Sequence, residues 1–187
     1  MRESSAFVSS GGFEIEITSQ GWLGPPREGW DPARDDLCSH GDIRLVIGGR
    51  VIAAGDDTGD YTISTTALAL LRTLESDYSP DSGFPPTALV MHCGGLLMVS
   101  CPYGINWSVR HRGGRVLLSN VVKDESETYD GLMVDLSYDE YRGQVVAFAE
   151  KAKEPFAVVE KALDSSVRDE FEEFWREYDE RLQRARN

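Results

Sequence analysis

The side chains best suited to chemistry fall into two stretches. The first runs from Thr87 to Val122, TALVMHCGGLLMVSCPYGINWSVRHRGGRVLLSNVV, and holds Cys93, Cys101, His92, His111 and Trp107. Thiols and imidazoles are the ligands zinc prefers, and together they make an activated nucleophile. Whether these residues act together depends on the elements that carry them. Gly94-Gly95 lies between two apolar runs. A glycine pair suits a two-residue hairpin because both central positions need positive φ. In that hairpin His92 faces Leu97 and Ala88 faces Cys101, and side chains alternate between faces. Cys93 and Cys101 then point to opposite faces and are expected to share neither a disulfide nor a metal. His92 and Cys101 share a face but lie about four residues, or ~13 Å, apart, too far for one zinc with bonds of ~2 Å. The stretch reads as sheet, with its cysteines acting as small hydrophobes.

The second stretch is Asp35, Asp36, Cys38, His40 and Asp42. Cys38 and His40 could supply two metal ligands with a carboxylate as third, or form a thiolate–imidazole pair. The alternative is ordinary loop polarity, and nothing fixes a fourth ligand or a substrate pocket. Asp56, Asp57 and Asp60 in GDDTGDY lack the spacing and terminal Glu of a calcium loop and read as a polar turn. The chain has no Walker A loop, no GxGxxG after a strand, no GxSxG elbow and no HExxH.

The positioning elements follow from periodicity. Phe13 to Thr18 alternates apolar and polar residues, a half-buried strand. Positions 19–41, rich in Gly and Pro and carrying Trp22 and Trp30, show no period and read as a long loop. Gly48-Gly49, Gly94-Gly95 and Gly113-Gly114 predict three hairpins. In the third, Trp107 is expected opposite Asn120, with Val116, Leu118, Asn120 and Val122 beside the apolar set and His111 near the rim. Arg110, Arg112 and Arg115 form a small basic cluster, to be paired with acids or to bind an anion. A helix near 64–77 is expected, capped by Ser64, Thr65 or Thr66. A second, near 138–153, starts on a Ser137-Glu140 capping box and is limited by Pro155. Phe156 to Leu163 reads as a helical turn or a strand. A third helix, near 166–185, places Val167, Phe171, Phe174, Trp175, Tyr178 and Leu182 on one stripe, with acids first and arginines last. The expected fold is a single α+β domain over 1–187, an antiparallel meander of about six to eight strands covered on one face by these helices.

Composition bounds the function. The 187 residues carry 41% hydrophobic and 27% charged side chains, ordinary globular values. Three cysteines, odd in number and sparse, fit a reducing compartment. No run reaches the ~20 apolar residues of a membrane span, and MRESSAFVSSGGFEIE lacks a basic then apolar leader. A cytoplasmic protein without membrane contact is expected. A net charge of −13 repels phosphates, which disfavours nucleic acid, and attracts a basic partner.

In type, a small, acidic, motif-poor α+β chain is similar to bacterial immunity and inhibitor proteins, although no motif carries that likeness to particular positions. The leading expectation is an acidic protein-binding module without a cofactor, contacting a basic partner through Trp22, Trp30, Asp31, Asp35, Asp36, Asp56, Asp57 and Asp60. The alternative is a small hydrolase or metal-dependent enzyme using Cys38 and His40, with His92 or His111 brought near. A third reading makes the C-terminal aromatic helix an oligomer contact.

Overall fold

Gly48-Gly49 and Gly113-Gly114 close two-residue hairpins, with φ of 61° and 76° in the first and 55° and 80° in the second. These left-handed values at both central positions match the twist of the flanking strands, which is why glycine is required there. The computed structural model describes residues 8–9, 12–23, 28–56, 61–80, 88–92, 96 and 103–187. Gly94-Gly95, Cys93 and Cys101, and so the expected second hairpin, lie outside them.

In chain order the elements are β1 (Val8–Ser9), β2 (Phe13–Ile17), α1 (Pro32–Asp35), β3 (His40–Gly41), β4 (Ile43–Ile47), β5 (Arg50–Ala54), β6 (Tyr61–Thr62), α2 (Ile63–Thr73), β7 (Val90–Met91), β8 (Gly104–Arg112), β9 (Arg115–Lys123), β10 (Glu127–Thr128), β11 (Met133–Ser137), α3 (Tyr138–Lys153) and α4 (Arg168–Arg186). A 3₁₀ turn, Glu154–Ala157, follows α3. The class is α+β. The strands, however, do not form one meander. They form a six-stranded sheet (β1-β11-β9-β8-β7, with β10 on β9), a three-stranded sheet (β2-β4-β5) and the pair β3-β6. β1 runs parallel to β11; the other pairings are antiparallel. Phe13 on β2 joins the two larger sheets, its ring 5.8 Å from Trp107 on β8 and 5.1 Å from Tyr141 on α3.

The β8-β9 hairpin departs from simple alternation. Ser108 faces Ser119 but Asn106 faces Val122, so Trp107 lies across from two residues, Asn120 and Val121. Asn120 is the extra residue of a β-bulge, at φ 53°, a region asparagine tolerates better than most side chains. Its Nδ2 donates to Ser108 Oγ at 3.1 Å. The bulge shifts the phase, so Val121 rather than Val122 enters the core beside Val116 and Leu118. Of the basic cluster, Arg115 pairs with Asp135 at 2.6 Å, while Arg110 and Arg112 are exposed.

The three expected helices form, the first of them with a different start and an earlier end. α3 begins on the capping box: Ser137 Oγ accepts from Glu140 N at 3.2 Å, and Glu140 Oε2 accepts from Ser137 N at 2.9 Å. Such a cap is worth about 1 kcal/mol. α2 starts at Ile63 and ends at Thr73, and Ser64, Thr65 and Thr66 lie buried inside it. The Thr65 hydroxyl donates back to Thr62 O, and those of Ser64 and Thr66 serve other elements instead of capping. Ser64 Oγ accepts from Ser39 N, and Thr66 Oγ1 accepts from Met91 N.

α4 packs on α2 and α3, burying Phe174, Tyr178 and Leu182. Tyr178 donates to Ala149 O on α3 at 2.6 Å, and burial pushes its phenol up. Its polar flank is bolted to α2 by Glu177, which takes a two-pronged contact from Arg72 at 2.7 and 2.8 Å and a third bond from Arg181. The Arg72 bonds hold the Glu177 carboxyl down at about 2, against the opposing effect of burial. A depressed carboxyl stabilises the fold above its ordinary 4.5, and this is lost as pH falls through about 2. Glu177→Gln is therefore expected to lie below the parent in urea stability at about pH 6 and to converge on it near pH 2. A constant gap across that range would show that ionised Glu177 is not the source.

Candidate functional site

The described residues of the 19–41 loop are tied to the body of the molecule. Gly21 and His40 exchange backbone hydrogen bonds at 2.8 and 2.9 Å, and Gln20 Nε2 donates to Ala152 O at the end of α3. Asp31 caps α1, accepting from Ala33 N, with Pro32 at the start of the helix. Asp35 accepts from Asp31 N at 2.7 Å. Asp36 is the hub: its carboxylate accepts from Leu23 N at 3.0 Å and Cys38 N at 3.2 Å, and faces His40 Nε2 at 3.3 Å. Burial pushes the Asp36 carboxyl up, but the His40 and backbone bonds outweigh it and hold the group below its usual range.

Lys161 locks this stretch to the segment after α3. Its Nζ donates to Ala33 O at 2.7 Å and Asp36 O at 2.6 Å and sits 3.1 Å from the Trp22 ring centre. Trp22 in turn meets Phe156 edge-on at 4.9 Å, and Ala162 N donates to Arg34 O. Burial pushes the Lys161 ammonium down to about 8, with the charge of Asp36 pulling it back.

This geometry bears on both expected roles. Cys38 is buried, and burial, helped by the Asp36 charge, pushes its thiol up to about 12. At neutral pH it is a protonated, buried thiol, a poor nucleophile. His40 is buried with Nδ1 lacking a hydrogen-bond partner. His92 lies by Tyr61 and Tyr103, while His111 Nε2 bonds Thr73 O at 2.8 Å, so neither joins Cys38. No group of three His, Cys, Asp or Glu side chains among the described residues is placed to hold a metal ion. Among the proposed contact residues, Trp22, Asp31, Asp35 and Asp36 are gathered into the lock. Trp30 is half-buried, Asp56 is exposed, and Asp57 and Asp60 lie outside the described residues.

On the other side of Phe156 and Lys161 lies a cleft of about 390 Å³. Pro155 ends α3, and the chain loops out before re-entering as α4, which leaves an opening between the loop and the first turns of that helix. Its apolar walls are Phe156, Val159, Leu163, Phe171 and Trp175, and Lys153, Lys161, Arg168 and Glu160 supply its charges. Phe156 and Trp175 meet with ring centres 4.5 Å apart and their planes tilted by 59°. Val158 beside it is 84% exposed. The chain matches no protein-family model, no curated protein and no solved structure. The cleft is thus read from its own residues. Sequence reasoning placed Phe171 and Trp175 in the core stripe; both are only half-buried because they sit where the stripe runs past the end of α3. The signal available was a helix-ending proline followed by aperiodic apolar and cationic residues, facing an i, i+4 aromatic pair. What this region offers is shape, apolar surface and charge, the equipment of binding.

Proposed function

We propose that this chain is an acidic, non-catalytic module that captures a protein with a basic surface, in the manner of immunity and inhibitor proteins. One observation carries the reading. Most of the described cations are committed within the molecule, among them Arg72 and Arg181 to Glu177, Arg184 to Glu75, Arg186 to Glu150, Lys153 to Asp179 and Arg115 to Asp135, while Arg34, Arg50, Arg110 and Arg112 are exposed. Lys123, Lys151 and Lys161 donate to backbone carbonyls. The acidic excess is left facing outward, most densely on the outer face of α4. There Asp169, Glu172, Glu173 and Glu180 are exposed at helical spacing, with Arg176 the cation among them. Such a field raises the rate of encounter with a basic surface. Among the described residues no helix is long and apolar enough to cross a membrane.

The test is a variant that keeps the helix and removes the field, Asp169→Asn with Glu172→Gln and Glu173→Gln. Parallel capture by parent and variant identifies a basic protein held by the first and lost by the second. Stopped-flow association with that protein should slow by about tenfold and lose most of its salt dependence. Equal rates and equal salt dependence would overturn the assignment.

A further inference from the structure

We propose that the cleft between the end of α3 and the start of α4 binds a small amphipathic anion, a carboxylate carried on an aromatic or aliphatic body. Its volume, about 390 Å³, lies in the range of small-molecule sites, and Phe156, Phe171 and Trp175 give it apolar, largely aromatic walls. The charges on those walls run against the rest of the molecule. In a chain of net charge −13, the cleft gathers Lys153, Lys161 and Arg168 against one acid, Glu160.

Arg168 and Lys153 retain donors after their internal contacts, whereas the Lys161 ammonium is turned to Ala33 O, Asp36 O and the Trp22 ring and lends the cleft its stem. Arg168 gives one N–H to Leu163 O at 2.8 Å, of the five a guanidinium carries. Lys153 pairs with Asp179 and lies 5.8 Å from the Trp175 ring centre, a position that holds the ammonium beside the apolar wall. The same wall contains a buried N–H without an acceptor, Trp175 Nε1. The donors open to the cleft are those of Arg168 and Lys153, and Glu160 is the one acid on its walls, so the lining is short of acceptors. A carboxylate supplies acceptors, and its hydrogen bonds to cations beside an apolar wall are stronger than in open water. A cationic ligand would face the like charges of Arg168 and Lys153. A neutral apolar ligand would leave the donors unanswered. This inference is independent of the acidic outer face of α4, which belongs to other side chains.

The experiment is calorimetric titration of the full chain with hydrocinnamate, hydrocinnamamide and phenethylammonium, molecules of one shape and three charges. Hydrocinnamate should bind at one site and change the tryptophan fluorescence. The amide should bind about tenfold more weakly, and the ammonium should not bind. Arg168→Gln, at an exposed position, should weaken hydrocinnamate about tenfold and leave the amide unchanged; Lys153→Gln gives a second reading should the first variant fold poorly. Equal binding of acid and amide, preference for the ammonium, the absence of saturable hydrocinnamate binding, or hydrocinnamate affinity unmoved in the folded variants would each overturn the proposal.

Discussion

Trp107→Ala is expected to destabilise the chain by about 3–5 kcal/mol, the usual cost of emptying a buried aromatic site. Trp107 is fully buried and carries more than its own surface. Its ring touches Phe13 of the three-stranded sheet, and its backbone lies opposite the bulge at Asn120 and Val121 in the six-stranded sheet. Removing it opens a cavity where the two sheets and α3 meet, at a place the bulged backbone cannot close. A loss of that size is a large share of the ~5–15 kcal/mol that holds a domain together. Trp107→Phe keeps a ring against Phe13 and should recover most of it. Urea unfolding of both variants decides the matter, and a loss below about 1 kcal/mol for Trp107→Ala would show that the sheets are joined elsewhere.

The same residue marks what local sequence can and cannot specify. The Gly113-Gly114 turn, the facing of Val109 by Leu118 and the position of His111 all follow from a two-residue loop and alternation. The bulge does not, because one extra residue leaves the pattern RVLLSNVV apolar in either phase. Only the burial of Val121 in place of Val122 reveals the shift. Likewise α3 was legible to the residue, since its start is fixed by Ser137 and Glu140 and its end by Pro155. The start of α2 was not. Ser64 and Thr66 look like caps, yet Ser39 and Met91, distant in sequence, use their hydroxyls. The division into three sheets was hidden for a related reason: alternation tells which face a residue takes and is silent about which strand lies beside it.

Legibility was lowest at positions 19–41. Asp31 followed by Pro32 is a helix-start pattern, and it does open α1, but four residues are too few to show a helical period. β3 is two residues long and shows none either. What orders this stretch is Lys161, an isolated cation in a segment without periodicity, whose two carbonyl acceptors are visible only after folding. Charge did announce an acidic protein. Which acids face solvent and which serve the backbone depends on these contacts.

Asp35 and Asp36 make that distinction measurable, being adjacent and identical in type. Asp36→Ala is expected to cost about 2–4 kcal/mol, because it strips the acceptor from two backbone N–H groups and leaves the buried His40 facing nothing. Asp35→Ala removes one exposed bond to Asp31 N and should cost less than about 1 kcal/mol. The loss at Asp36 should depend on pH. Its carboxyl is held below its ordinary value of 3.8, so its stabilising contribution is complete above that value and fades as pH falls beneath it. The gap between parent and Asp36→Ala should therefore narrow in acid. Amide exchange locates the damage: Leu23 and Cys38 should lose protection in Asp36→Ala and keep it in Asp35→Ala. If the two variants are equally stable and both amides stay protected, Asp36 does not organise the stretch. Its carboxylate would then be free to meet a basic partner, as the sequence first suggested.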